Sequence, residues 1–183
     1  MNFARTARAA LVTAAPVLLA SALLAGCSDD PTETDVSPAA GVAGQIGQVA
    51  IRNLFVLGGE EGRTIAQGGS APVYLTMVNS PSEVESFNAS GSPAPRPGTD
   101  TLTSVSSPQA ASAEIVGGTI ALPAGRDVQV GPAPKIILRG LRKPLQSGEL
   151  VPLTLRFQHA GSGSLNAPVQ ARQGDLQSYS PAP

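Results

Sequence analysis

The sequence predicts an all-β chain folded as an antiparallel Greek-key β-sandwich, and three observations predict it. Val151, Leu153, Leu155 and Phe157 alternate with Pro152, Thr154, Arg156 and Gln158. That alternation turns one row of side chains to a core and the other to water. Turn chemistry recurs at short intervals, at Gly58-Gly59, Gly117-Gly118, Pro123-Ala124-Gly125, Gly131-Pro132 and Gly161 to Gly163. Composition is the third observation: 20 glycines and 17 prolines accompany only 14% charged residues. Proline removes an amide donor and glycine costs about 1 kcal/mol inside a helix, so this composition suits short strands over long helices.

In chain order, the amino terminus reads as a targeting segment. Arg5 and Arg8 precede an apolar run from Ala9 to Leu24, which is interrupted by Pro16 and followed by acids. A positive start, a short apolar core and small residues before a cut define a secretory signal, here residues 1–26. The run falls short of the roughly 20 residues a spanning helix needs. Leu24, Ala25, Gly26 and Cys27 resemble the bacterial lipobox. The resemblance implies a diacylglyceryl thioether on Cys27 and cleavage after Gly26. The expected partner is therefore the membrane, at its extracytoplasmic face. Long acyl chains such as palmitate contribute about 0.8 kcal/mol per buried methylene, so two of them anchor firmly. Cys27 is the one cysteine of the chain, so no disulfide framework competes for it.

Residues 27–47 read as a flexible tether, since Asp29, Asp30, Glu33 and Asp35 sit among Pro, Ser and Thr with little to bury. The sandwich is expected over 48–171. Its first strand, Gln48 to Leu57, places Val49, Ile51, Phe55 and Leu57 on one face, with Asn53 breaking the row. In the next, Val73, Leu75 and Met77 alternate with Tyr74, Thr76 and Val78. Shorter strands are expected at 101–106, 111–116, 119–122, 126–130 and 135–139, before the 151–158 run and the Leu165, Ala167, Val169 repeat. Eight or nine strands at this spacing fit a sandwich. Residues 80–99 hold four prolines and hardly an apolar side chain, which reads as a disordered insertion. Residues 172–183, polar and proline-rich, read as a loose tail.

Several function classes are excluded. The net charge is −1, and becomes −3 once Arg5 and Arg8 are removed with the signal. Lys135 to Lys143 carries four cations without an aromatic platform, so nucleic acid is not an expected partner. Enzymatic activity is not expected either. A serine triad would need His159, the sole imidazole, and no Gly-x-Ser-x-Gly elbow is present. Gly58 to Thr64 has neither the spacing nor the lysine of a phosphate loop.

One set of phrases carries a family resemblance. Ala71 to Asn79 is followed by Thr101 to Pro108, Ala113-Glu114-Ile115, Leu122 to Gly125, Ile137 to Leu145 and Gly148 to Phe157. Together these resemble the periplasmic copper chaperone family PCu(A)C and the LpqE-like actinobacterial lipoproteins related to it. The resemblance implies a cupredoxin-like sandwich and, for the family, a Cu(I) site of His and Met, soft donors for a soft ion. The first family histidine falls at Val116, a methionine segment at Gly117 to Ile120, and the later His-x-Met at Lys135-Ile136-Ile137, so no ligand is carried over. Met77 and His159 are the only thioether and imidazole left after signal removal. Met77 reads as core and His159 as a turn residue, which leaves them only weak candidates for a copper site. The expectation is a non-catalytic binding or accessory module without a cofactor, meeting an unidentified envelope protein or ligand through loops 58–70, 80–99 and 131–134. A copper chaperone with ligands shared between chains is the alternative.

Overall fold

Ten strands and one 3₁₀ turn make up residues 41–80 and 98–183, which the computed structural model describes. The expected signal peptide, Cys27, most of the tether and residues 81–97 lie outside the described residues. The strands are β1 (Val42–Ile46), β2 (Val49–Glu60), β3 (Ala71–Asn79), β4 (Thr99–Ser106) and β5 (Ala110–Ile115). They continue as β6 (Ile120–Pro123), β7 (Asp127–Val130), β8 (Ile136–Leu141), β9 (Leu150–Phe157) and β10 (Ser162–Arg172), and the 3₁₀ turn is Gly174–Ser178.

The strand order is β5-β8-β3-β2-β10-β9-β4-β6, with β1 on β2 and β7 on β3. Pairings such as β3 with β8 and β4 with β9 join strands distant in sequence, which is Greek-key crossing and not a meander. The sandwich predicted from the alternation is therefore present, and β10 joins its layers. Residues Ser162–Pro168 of β10 pair antiparallel with β9, and Val169–Arg172 pair parallel with β2. That β10–β2 pairing is the parallel one among the antiparallel strand pairings of the sandwich. Between the layers lies the main core, with Ile51, Leu54, Val73, Met77, Leu102, Leu138, Leu153 and Leu155 nearly free of solvent.

Three expectations are corrected by the structure. The first concerns β2, whose apolar row changes phase. Asn53 adopts a φ of +50°, and the β2–β3 register shifts between Arg52 and Phe55. Asparagine tolerates this left-handed geometry better than most residues. Val49 and Ile51 face the core before the bulge, and Leu54 and Val56 face it afterwards. Phe55 and Leu57 are thereby turned to the outer face, where they cluster with Tyr74.

Residues 42–46, expected to lie in the tether, form a strand instead, since β1 pairs antiparallel with β2 from Val42. Small residues make this possible: a Cβ on Gly44 would lie 2.5 Å from Leu165 Cδ2. Gly47, at φ +54°, turns the chain back into β2. The expected loose tail is docked. Leu176 and Tyr179 pack on the Phe55–Leu57–Tyr74 cluster. Leu176 lies within the 3₁₀ turn and Tyr179 just after it, in extended conformation.

Candidate functional site

The strand pairings gather the positions at which the family resemblance places metal ligands. Ile115 at the end of β5 faces Ile136 at the start of β8, and Glu114 faces Ile137. The Val116 N–H donates to the Lys135 carbonyl at 2.8 Å, so these two positions adjoin at one sheet edge. Val116 is 49% exposed, Lys135 is exposed and Ile137 is buried. Gly117 and Gly118, at φ +87° and +86°, turn the chain away, and the Gly118 N–H closes the turn on the Ile115 carbonyl. Beside them Arg139 Nε donates to Glu114 Oε2 at 2.6 Å. The edge has the geometry of a shared rim, but its side chains are a branched alkyl, an ammonium and a buried isoleucine. None of these donates an electron pair to Cu(I) at neutral pH.

Met77 and His159 are not brought together. Met77 is fully buried in the main core, its neighbours across the strands being Ile51 and Val128. His159 stands on the turn after β9 with its side chain about half exposed, 47%. Among the described residues no three His, Cys, Asp or Glu side chains are grouped as an ion site.

Beneath His159 lies a residue the sequence did not single out. Asp100 is fully buried and accepts three backbone N–H groups: Thr101 at 2.7 Å, His159 at 2.9 Å and Ala160 at 2.8 Å. His159 Nδ1 is 3.5 Å from Asp100 Oδ1. Burial alone pushes the Asp100 carboxyl up, but the N–H donors, with the imidazole's field added, outweigh it and hold the group below the usual aspartate value. Asn79 is buried next to this knot, donating to the Leu122 carbonyl at 2.8 Å. The arrangement staples the β9–β10 turn to β4. It presents no nucleophile with a base.

The outer face of the β2–β3 layer is covered by the chain's own carboxyl terminus. Tyr179 stands edge-on to Tyr74 and Phe55, with ring centroids at 4.7 and 5.5 Å. Tyr74 donates its hydroxyl to the Ser180 carbonyl, and the Ser180 N–H donates to the Pro132 carbonyl at 3.1 Å. Arg172 donates to the carbonyls of Tyr179 and Gln177 and meets Glu60 at 2.5 Å. Pro181 and Ala182 border a cavity of about 240 Å³ with Leu57, Gly58, Ile65 and Pro72. Two of the loops expected to meet a partner, near 58–70 and 131–134, are thus met by residues 179–182. Burial pushes the Tyr74 phenol up to about 12, with Tyr179 adding to the rise and Arg172 opposing it.

Against this geometry the comparisons are specific. The LpqE-like lipoprotein model matches residues 49–169. The chain belongs to the LpqE-like family. No curated protein matches this LpqE-like chain. Among solved structures it is similar to the copper-bound PCuAC domain from PmoF2, at 23% identity and a TM-score of 0.54, covering 71% of this chain and 98% of that one. The apo PCuAC domain from PmoF1 is similar at 19% identity and a TM-score of 0.55, covering 71% and 99%. The apo PmoF2 PCuAC domain gives 21% and 0.51, over 73% and 98%. These likenesses establish the fold: LpqE-like and PCuAC chains share one sandwich.

Proposed function

We propose that this LpqE-like chain is a non-catalytic binding or accessory module of the cell envelope, held at the extracytoplasmic face of the membrane by a lipid on Cys27, and that it has given up the family's copper site. The observation that carries the second half is the rim at Val116 and Lys135. Its strands are in place and bonded, while its side chains are wrong for a soft cation. The lipobox-like Leu24-Ala25-Gly26-Cys27 carries the first half, and the LpqE-like match to a lipoprotein family supports it.

Titration of residues 28–183 with Cu(I) against a chelator of known affinity tests the lost site. The expected outcome is no stoichiometric binding. Labelling of cells with a fatty-acid analogue tests the anchor, and label should vanish with Cys27→Ser.

A second reading keeps copper through ligands shared with a partner or a second copy. It is favoured by the half-exposed His159 imidazole and by the copper named for the PmoF2 domain. Tight Cu(I) binding that is lost on His159→Ala, or on Met77→Leu, would replace the first reading with this one.

A further inference from the structure

Three side chains on the outer face of β2 and β3 are as buried as core residues: Phe55 is 5% exposed, Leu57 0% and Tyr74 1%. What lies over them is different in kind. No residue from Gln173 to Pro183 is itself fully buried, and Leu176, Tyr179 and Ala182 are only partly so. The LpqE-like match ends at residue 169, so the covering segment lies outside it, whereas the face beneath lies inside. A groove with core-like walls is thus filled by a segment seated on its surface. Lifting that segment would bare a contiguous aromatic patch, and such patches on a folded domain mark interaction sites.

The way the segment is held tells what the groove recognises, because its polar groups address main-chain atoms. Tyr74 donates its hydroxyl to the Ser180 carbonyl, Arg172 donates to the carbonyls of Gln177 and Tyr179, and the Pro132 carbonyl accepts from the Ser180 N–H. A lipid chain has no such succession of carbonyl and N–H groups, but every peptide has. Two side chains of the segment are also read. The Tyr179 ring stands in a socket of Phe55, Tyr74 and Gly131, and a Cβ on Gly131 would lie 3.0 Å from its Cε1. Pro181 borders the cavity walled by Leu57, Ile65 and Pro72, where a residue without an N–H leaves no donor unpaired. Proline also holds the residue before it extended, and Tyr179 is extended too, at φ −82° and ψ 133°.

We infer that this groove docks an extended segment of a partner protein with the pattern aromatic-x-Pro, held through its backbone, and that residues 177–182 are a resident copy of that pattern which the partner displaces. The inference deepens the reading of the chain as a binding module and rests on it, but neither the copper rim nor the lipid on Cys27 enters. A connection of a few residues holds the resident copy at an effective concentration of about millimolar. A free segment therefore competes when it binds well below that, or when the resident tyrosine is removed.

The test uses the processed chain from Cys27 and a fluorescent peptide, acetyl-Ala-Tyr-Thr-Pro-Gly-amide, which shares only the pattern with residues 177–183. Tyr179→Ala empties the socket, and that variant should bind the peptide saturably in an anisotropy titration, about tenfold more tightly than the unmodified chain. Peptides with alanine for the tyrosine, or glycine for the proline, should each bind about tenfold more weakly. Adding Tyr74→Phe, which deletes the hydroxyl that meets the Ser180 carbonyl, should weaken binding again. If Tyr179→Ala does not fold, excess peptide on the unmodified chain must instead quicken hydrogen exchange at the Ser180 N–H. No saturable binding by the folded variant, or equal binding of the alanine peptide, would overturn the proposal. So would dimers of the unmodified chain that vanish with Tyr179→Ala, which give the groove to the tail of a second copy, or displacement of the peptide by phosphatidylglycerol vesicles, which give it to a lipid surface. Tight Cu(I) binding by a chain that still takes the peptide would strike the lost-site reading alone and leave this one standing.

Discussion

Replacing Asp100 by asparagine changes one oxygen to an amide at nearly constant volume. With the remaining oxygen on Thr101 and His159, the new NH₂ faces the Ala160 N–H, donor against donor. A buried donor left unpaired costs about 1–3 kcal/mol, and the other two bonds lose the part of their strength that came from the charge. A loss of about 3 kcal/mol follows, or on the order of 10 °C in melting temperature for a domain of this size. Melting followed by far-ultraviolet circular dichroism across a pH series is the assay. The folded-state carboxyl lies below its ordinary value. Its stabilisation is therefore fully present above the unfolded aspartate value, about 3.9, and is lost as pH falls through the lower folded value. Asparagine has no such proton, so the gap between wild type and Asp100→Asn should be widest near neutrality and close in acid. Equal melting at neutral pH would refute the staple, and a gap that persists undiminished in acid would refute its electrostatic origin.

Tyr179→Ala removes two edge-on aromatic contacts worth about 0.5–1.5 kcal/mol each and should lower stability by roughly 2 kcal/mol, with increased binding of a hydrophobic dye at the bared Phe55 and Tyr74. The Tyr74 phenol, pushed up to about 12, should ionise well above a free tyrosine in an absorbance titration. Its contribution to stability is fully present below about pH 10 and is lost as pH rises toward the folded value, a window that Tyr179→Ala should narrow. Gly44→Ala places a methyl against Leu165 and should cost about 1–2 kcal/mol by overpacking, read as faster hydrogen exchange of the β1 amides.

The legible parts of the fold are those whose neighbours are also near in sequence or strictly periodic. β9 reads directly because every second residue from Val151 to Phe157 is buried. β2 reads only in its first half, since one left-handed asparagine inverts the faces of everything after it, and composition does not announce the inversion. β1 escaped because its glycines look like linker until Leu165 and β2 are placed against them. That Val116 and Lys135 adjoin follows from the β5–β8 pairing, a long-range contact that the sequence phrases around them do not announce. Asp100 was not legible either, since the N–H groups it serves at His159 and Ala160 lie 59 and 60 residues away. Gln170 was hidden by a different cause: alternation assigns it to the outer face, yet it is buried there.

The strand shared by both layers also sets the order of events when the molecule is made. β10 comes after every other strand, and it alone pairs with a strand of each layer, β9 and β2. A chain emerging amino end first can form hairpins early, yet its two leaves stay unhinged until residue 172 has cleared the exit. For that interval the apolar faces that β10 will bring together stand uncovered.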